Sequence, residues 1–259
     1  MYLGVPPQPS CATAWLAATQ VVDAATGHEA HNVIIDVAHP TFESVLEKNI
    51  TGEVDRFLRA HDHLPVRTVA NTIFPQAIYE LHGAPDLYDV YLNKIFPRIK
   101  RSHGDWGRYF ERMVRFPKSK RDGAPLNPLQ DLVEKMGDNL KNDRTFKNIY
   151  EMTIYDPVRD AGRPMNRQCL SFLSFKLTDD RHLLLTAMYR NHYYIQRLLG
   201  NLIGLGNLMS FVAKEVGVAV GALTVVSTHA EVDGVGTRTE LGSMIDRCAE
   251  ALSQHQRAT

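Results

Sequence analysis

The sequence predicts an α+β fold: a mixed sheet with a long buried helix packed against it. Three observations lead there. Helix-compatible segments fill the first half of the chain, and alternating apolar–polar segments cluster in the second half. Among those strands lies one long apolar segment at helical spacing, Tyr194 to Val216. The 259 residues suffice for a single domain spanning 1–259, with a divergent arm and helix at 1–30 and a short region after the last strand at 230–259.

Residues 1–10 are Pro-rich and read as an irregular arm. Ala12 to Ala25 is helix-compatible, with Gly27 to end it. Asn32 to Val37 reads as a buried strand closed by His39-Pro40. Phe42 to Glu47 and Glu53 to Ala60 read as two short helices. Thr72 to His82 reads as a helix capped by Gly83, and Leu87 to Phe96 as another, stopped by Pro97. Residues 102–128 are rich in Gly, Pro and charge around Trp106-Gly107-Arg108-Tyr109-Phe110 and read mostly as loop, before a helix over Leu129 to Lys141. Lys147 to Tyr155 then alternates, with Tyr150, Met152 and Ile154 on one face. Leu170–Leu177 and Leu183–Tyr189, joined by Thr178-Asp179-Asp180-Arg181, carry a hairpin signature. In the long helix, Ile195, Leu198, Leu199, Leu202, Leu205 and Leu208 form an apolar stripe, and Gly200, Gly204 and Gly206 allow close packing. Ala222 to Val226 is a buried-type strand, and Leu241 to Gln254 a terminal helix.

Composition narrows the function classes. Lys plus Arg equals Asp plus Glu at 29 each, so no global field favours a nucleic-acid polymer. The basic runs Arg98-Ile99-Lys100-Arg101 and Lys118-Ser119-Lys120-Arg121 read as solvated segments. Three cysteines without a pairing pattern argue against a disulfide framework and for a reducing, cytoplasmic setting. Neither a secretory signal nor an apolar run of bilayer length is expected. His28-Glu29-Ala30-His31 has metal-like spacing but lacks further ligands nearby, and reads as a solvated loop, so no metal is expected.

One ordered set of polar residues suggests a particular chemistry. Cys169 opens a strand within Arg167-Gln168-Cys169-Leu170-Ser171-Phe172. Arg190 ends the next strand, Asn201 follows eleven residues later, and His229 follows an apolar strand. In this order and spacing the chain resembles the thymidylate synthase family, from about Thr72 to His229 and most closely after Leu140. Leu140-Lys141-Asn142-Asp143 resembles the approach to the family's phosphate-binding arginine pair, and Gly221 lies at family spacing beyond Asn201. The resemblance implies a thymidylate synthase-like fold and a homodimer formed through the sheets. It also implies Cys169 as nucleophile with Tyr109 beside it, Arg190 on phosphate, Asn201 reading the base and His229 on ribose. Cys11 and Cys248 read as core thiols.

The chemistry needs these residue types. Adding a thiolate at C6 of a pyrimidine turns C5 into an enolate-like carbon that attacks a one-carbon electrophile. The thiolate is the reactive form, so Cys169 is expected to have a lowered pKa, with Arg190 supplying field and phosphate grip. The Asn201 amide both donates and accepts, and so pairs with O4 and N3–H of uracil.

The chain also departs from the family. Gln76 stands where the family has its catalytic glutamate, and Lys147-Asn148 where it has the arginine pair given by the partner subunit. Tyr193 replaces the aspartate that contacts folate, and Glu231 replaces the tyrosine of the His-x-Tyr motif. The resemblance implies 5,10-methylenetetrahydrofolate as cofactor. Two readings stay open: methyl or hydroxymethyl transfer to C5 of a pyrimidine nucleotide, or a catalytically altered member that binds a nucleotide or protein partner.

Overall fold

Residues 2–99, 108–116, 126–162 and 168–258 are described by a computed structural model. Trp106-Gly107, Arg167 and the run Lys118 to Arg121 fall outside them, as do Lys100 and Arg101. A short strand, β1 (Leu3–Gly4), opens the chain. Ser10 then starts helix α1 (Cys11–Asp23): its hydroxyl accepts from the Thr13 N–H and the Thr13 side chain reaches back to the Ser10 N–H, a reciprocal cap. Strand β2 runs over Glu29–Val37, longer than Asn32–Val37, so Glu29 to His31 enter the sheet rather than forming a loop, while His28 ends a 3-10 turn.

The helical region differs most from expectation. Helix α2 (Val45–Ala60) is one element where two were expected. Its buried Leu46, Ile50, Val54, Phe57 and Leu58 form a single stripe, and burial of that stripe outweighs the modest helix cost of Gly52. Conversely, Phe74-Pro75 splits the expected Thr72–His82 helix into α3 (Val66–Ile73) and α4 (Gln76–Val90). Gly83 is no cap; it sits at φ 72° as a kink inside α4. The chain continues through a π turn, Tyr91–Ile95, into α5 (Phe96–Ile99), so Pro97 does not stop it. A widened turn just before a proline relieves the clash between its ring and the preceding helical carbonyl. Helix α6 (Tyr109–Val114) lies within the expected loop, and α7 (Pro128–Lys141) is capped by Asn127.

Strand β3 is the short Glu151–Thr153, yet Tyr150, Met152 and Ile154 share a buried face as their alternation demands. Helix α8 (Pro157–Asp160) carries a fully buried carboxylate, Asp160, which Arg112 of α6 grips with both guanidinium nitrogens at 2.5 and 2.8 Å; Arg112 also donates to the Ile154 carbonyl. The hairpin is as expected: β4 (Leu170–Leu177) and β5 (His182–Tyr189), with Leu177 opposite Leu183. Then come β6 (His192–Tyr193), a π turn at Tyr194–Leu198, α9 (Leu199–Val216), β7 (Ala219–Glu231) and α10 (Arg238–Ala258). β7 is far longer than Ala222–Val226, so His229 lies inside the strand.

The sheet is mixed, in the order β1-β2-β7-β5-β4-β3. β7 runs antiparallel to β2 and parallel to β5, and β6 pairs with the far end of β7. The parallel β5–β7 pair requires a crossover, and α9 supplies it. The α9 stripe from Ile195 to Leu208 is fully buried. A Cβ at Gly200 would lie 2.7 Å from Val69 Cγ1 and 2.8 Å from the Val66 carbonyl oxygen, so α3 lies closer than any side chain on that face would permit. One sheet face, including Val33, Ile35, Phe175, Leu185 and Val225, is core; the other leaves Ile34, Phe172, Leu184 and Val226 half-buried and Met188 39% exposed. Among the described residues no helix is long and apolar enough to cross a membrane.

Candidate functional site

Strand order decides where the chemistry gathers. Cys169 directly precedes β4 and Arg190 directly follows β5, so both stand at the open end of the hairpin, where the Arg190 N–H donates to the Cys169 carbonyl at 3.0 Å. The Arg190 Nε donates to the Gln168 carbonyl at 3.1 Å, which holds the guanidinium beside the thiol's own segment. Tyr109 arrives from α6: its hydroxyl oxygen accepts the Leu170 N–H at 3.4 Å. The Arg112–Asp160 clamp fixes the helix that carries it.

The thiol is not activated as the sequence suggested. Burial pushes Cys169 up from its ordinary value; the Arg190 and Arg197 guanidiniums pull it down without overcoming that cost. Desolvation of a half-buried sulfur outweighs two nearby cations, so the expectation of a lowered thiol is corrected. Tyr109 is pushed up to about 12, first by burial and then by the Cys169 sulfur, with Arg197 opposing. Tyr189 is raised too, by burial and then by Tyr109 and Cys169, and its buried hydroxyl has no hydrogen-bond partner among the described residues.

A second layer connects this corner to Asn201. The Tyr109 ring meets Tyr189 edge-on, 6.5 Å between centroids, and Tyr189 stacks on His192 at 4.0 Å and 9°. His192 is 1% exposed and Asn201 3%. Asn201 Nδ2 donates to His192 Nε2 at 2.9 Å, and His192 Nδ1 lies 3.0 Å from Ser227 Oγ, which the Tyr194 hydroxyl also reaches at 3.4 Å. Burial holds the imidazole down to a pKa of about 3, so the ring is neutral. The start of the helical segment that carries Asn201 is pinned twice. Asp233 accepts the Ile195 N–H at 2.8 Å, and Trp15 Nε1 donates to the Tyr194 carbonyl at 2.8 Å.

The remaining expected residues form a more open rim or lie elsewhere. His229 contacts Asn191 through Nδ1 and Glu29 through Nε2 at 3.2 Å, with the His31 ring 5.2 Å away. Glu231 ends β7 opposite Glu29 on one side and Tyr193 on the other, and Tyr193 is 40% exposed. Lys147 is exposed and pairs with Asp179 at 2.8 Å. Asp179 sits in the hairpin turn, a full eight-residue strand from Cys169, or roughly 27 Å. Gln76 donates to Glu80 at 2.9 Å and lines a cleft of about 620 Å³ with Glu47, Asn71 and Asn207, whose walls do not include Cys169.

Cys169, Tyr109 and Arg190 are therefore brought together, and Asn201 joins them through two rings. Gln76 and Lys147 are not brought to the thiol within this chain. The sequence reading missed Arg197, a half-buried cation with no hydrogen bond or ion pair among the described residues, and the His192–Ser227 support beneath Asn201. Their signal was a run of polar residues in an otherwise apolar stretch, Arg190-Asn191-His192 and then Arg197. Among the described residues no group of three or more His, Cys, Asp or Glu is placed to hold a metal.

Fold and site together define a mixed-sheet α+β protein with a cysteine, a tyrosine and two guanidiniums at one strand end and a buried carboxamide behind them. No family model matches the chain. Similarity to archaeal proteins named "Putative thymidylate synthase" covers part of it. The chain is 31% identical over 102 residues to that of Methanosarcina mazei, covering 39% of this chain and 46% of the relative. It is 30% identical over 107 residues to that of Methanococcoides burtonii, 41% and 46% respectively. It is 35% identical over 94 residues to that of Methanothermobacter thermautotrophicus, 34% and 41%. The matched stretch spans less than half the length of each relative. The likeness is a thymidylate synthase-like relationship over part of the chain.

Proposed function

We propose that this is a single-domain thymidylate synthase-like protein that takes a pyrimidine nucleotide and adds the Cys169 sulfur to C6 of the base, activating C5 for one-carbon transfer. The observation that carries the reading is the meeting of Cys169, Tyr109 and Arg190 at one strand end, with the Asn201 amide buried behind them. In this reading the thiolate forms the S–C6 bond and the C5–C6 π pair moves toward O4, leaving C5 nucleophilic. Asn201 offers donor and acceptor to the base edge. Arg190 holds the phosphate, and Arg197 adds a second positive charge beside the sulfur, favouring the thiolate. His229 and Glu231 face the sugar.

The resemblance implies 5,10-methylenetetrahydrofolate as the one-carbon donor. The described residues do not fit it fully. Tyr193 offers an exposed ring and one hydroxyl where a carboxylate would pair with the pterin's donors, and Gln76 lines another cleft. A homodimer fits the half-buried apolar sheet face around Ile34, Phe172, Leu184 and Met188, which is better covered than wet, and it is the arrangement in which Lys147 reaches a partner's site. Three cysteines without a disulfide fit a cytoplasmic setting.

A second reading, nucleotide binding without turnover, is favoured by the raised thiol of Cys169. Isothermal titration with UMP, dUMP, CMP and dCMP, run beside release of tritium from C5 with and without a folate donor, separates the two. Release that vanishes in Cys169→Ala supports the adduct. Binding without release leaves the second reading, and no binding of any of the four removes both.

A further inference from the structure

A carboxamide is a two-faced reader. Its oxygen and nitrogen exchange places on a half-turn of the terminal torsion, which is broad and nearly two-fold. Uracil presents an acceptor at C4 and a donor at N3, and cytosine presents a donor at C4 and an acceptor at N3. A freely turning Asn201 can satisfy either base. Only a group that fixes its flip makes it selective.

We propose that His192 is that group: a positioning residue that pins Nδ2 of Asn201, leaves Oδ1 on the opposite side, and so sets which pyrimidine the site accepts. The inference rests on the nucleotide reading above and deepens it.

The geometry leaves little freedom. Asn201 Nδ2 is only a donor, so His192 Nε2, 2.9 Å away, must accept. The neutral ring then carries its proton on Nδ1, which lies 3.0 Å from Ser227 Oγ and donates to it. Ser227 is fully buried and belongs to β7, the central strand, so the sheet itself holds the Nδ1 partner in place. Turning the ring over would bring carbon atoms to one or both partners. Tyr189 stacked at 4.0 Å and Tyr194 in a T-shaped contact at 5.6 Å confine the ring. With the proton on Nδ1, reversing Asn201 would face its oxygen against a lone pair on Nε2, a buried acceptor against an acceptor. Base choice is therefore distributed over Asn201, His192 and Ser227. Substitution at His192 changes specificity although the ring reaches the base only through the amide.

The test uses the full chain. Titration of wild type with UMP, dUMP, CMP and dCMP is expected to show a preference for one base, across both sugars, of roughly tenfold or more. His192→Phe keeps a stacked ring but removes the acceptor; the preference should shrink to within about threefold, with the favoured base losing and the disfavoured base gaining. A gain for the wrong base is a result that general loosening of the site would not give. His192→Gln restores an acceptor and should recover part of the preference. Ser227→Ala, which frees Nδ1 with little change in volume, serves as the second variant should His192→Phe not fold; folding of each is checked by circular dichroism and thermal melting. An undiminished preference in either folded variant overturns the proposal, as does a wild type that binds both bases equally. Nitrogen NMR of the histidine rings reads the contact without any ligand: His192 should carry its proton on Nδ1 at neutral pH. A proton on Nε2 refutes the pinned amide even where nucleotides bind. A wild type with the expected tautomer that binds no nucleotide instead defeats the functional reading beneath it.

Discussion

The wall around Cys169 and the rim around His229 differ in how they are held. In the wall, Tyr109 is tied to the Leu170 N–H, Arg190 to the Gln168 carbonyl, and Asn201 to His192 and then to β7. At the rim, His229 answers to the polar side chains of Asn191 and Glu29, and Tyr193 is exposed; at the other end of the hairpin, Lys147 pairs with a turn residue in solvent. The departures from the thymidylate synthase pattern at Tyr193 and Glu231 fall on the rim, and those at Lys147 and Gln76 lie away from the thiol. Substitution there disturbs no packed network, whereas substitution in the wall disturbs several partners at once. Residues on the rim can therefore change while Cys169, Tyr109, Arg190 and Asn201 keep their places.

Three experiments break or sharpen this contrast. The largest effect belongs to Arg112→Ala, which leaves the Asp160 carboxylate buried without its guanidinium. Stability should fall by about 3–5 kcal/mol in a denaturant titration, with Tyr109 losing its fixed place beside the thiol. An effect below about 1 kcal/mol would mean that the clamp does not hold the wall.

Next is the pH dependence of His192. The unfolded chain's imidazole protonates near 6.5, whereas the folded one stays neutral down to about 3. The stability that depends on the neutral ring is thus fully present above pH 6.5 and is lost as pH falls toward 3, by up to roughly 1.4 kcal/mol per pH unit. Unfolding of wild type and His192→Phe between pH 7 and 4 should show a shallower fall in the variant; equal slopes would place the imidazole in contact with water.

The smallest effect belongs outside the wall. Lys147→Ala should stay within about 1 kcal/mol of wild type, because the Asp179 pair is exposed and screened by salt. A larger loss that grows on dilution would instead place Lys147 at a subunit contact.

Much of this was legible in the sequence, for identifiable reasons. The β4–β5 hairpin and the α9 stripe follow from period-two and helical spacing sustained over many residues, and both stand where expected. Cys169 and Arg190 are legible as strand-end neighbours because the hairpin register fixes them. The helices between residues 42 and 96 were misread because local breakers, Gly52, Gly83 and Pro97, are overridden by a continuous buried face or absorbed by a kink and a π turn. The direction of the Cys169 shift was misread because charges are visible in a sequence and desolvation is not. His192 was missed because its value lies in contacts made nine residues away at Asn201 and thirty-five away at Ser227.

The central position of β7 has a consequence for synthesis. During translation the hairpin carrying Cys169 and Arg190 emerges first, followed by the helix bearing Asn201, while the strand that supplies Ser227 and separates β2 from β5 comes last. Until that segment leaves the ribosome, β5 has an unsatisfied edge and the imidazole has no hydroxyl beneath it. The order of synthesis therefore makes the docking of β7, rather than the making of the hairpin, the step that completes the corner around Cys169.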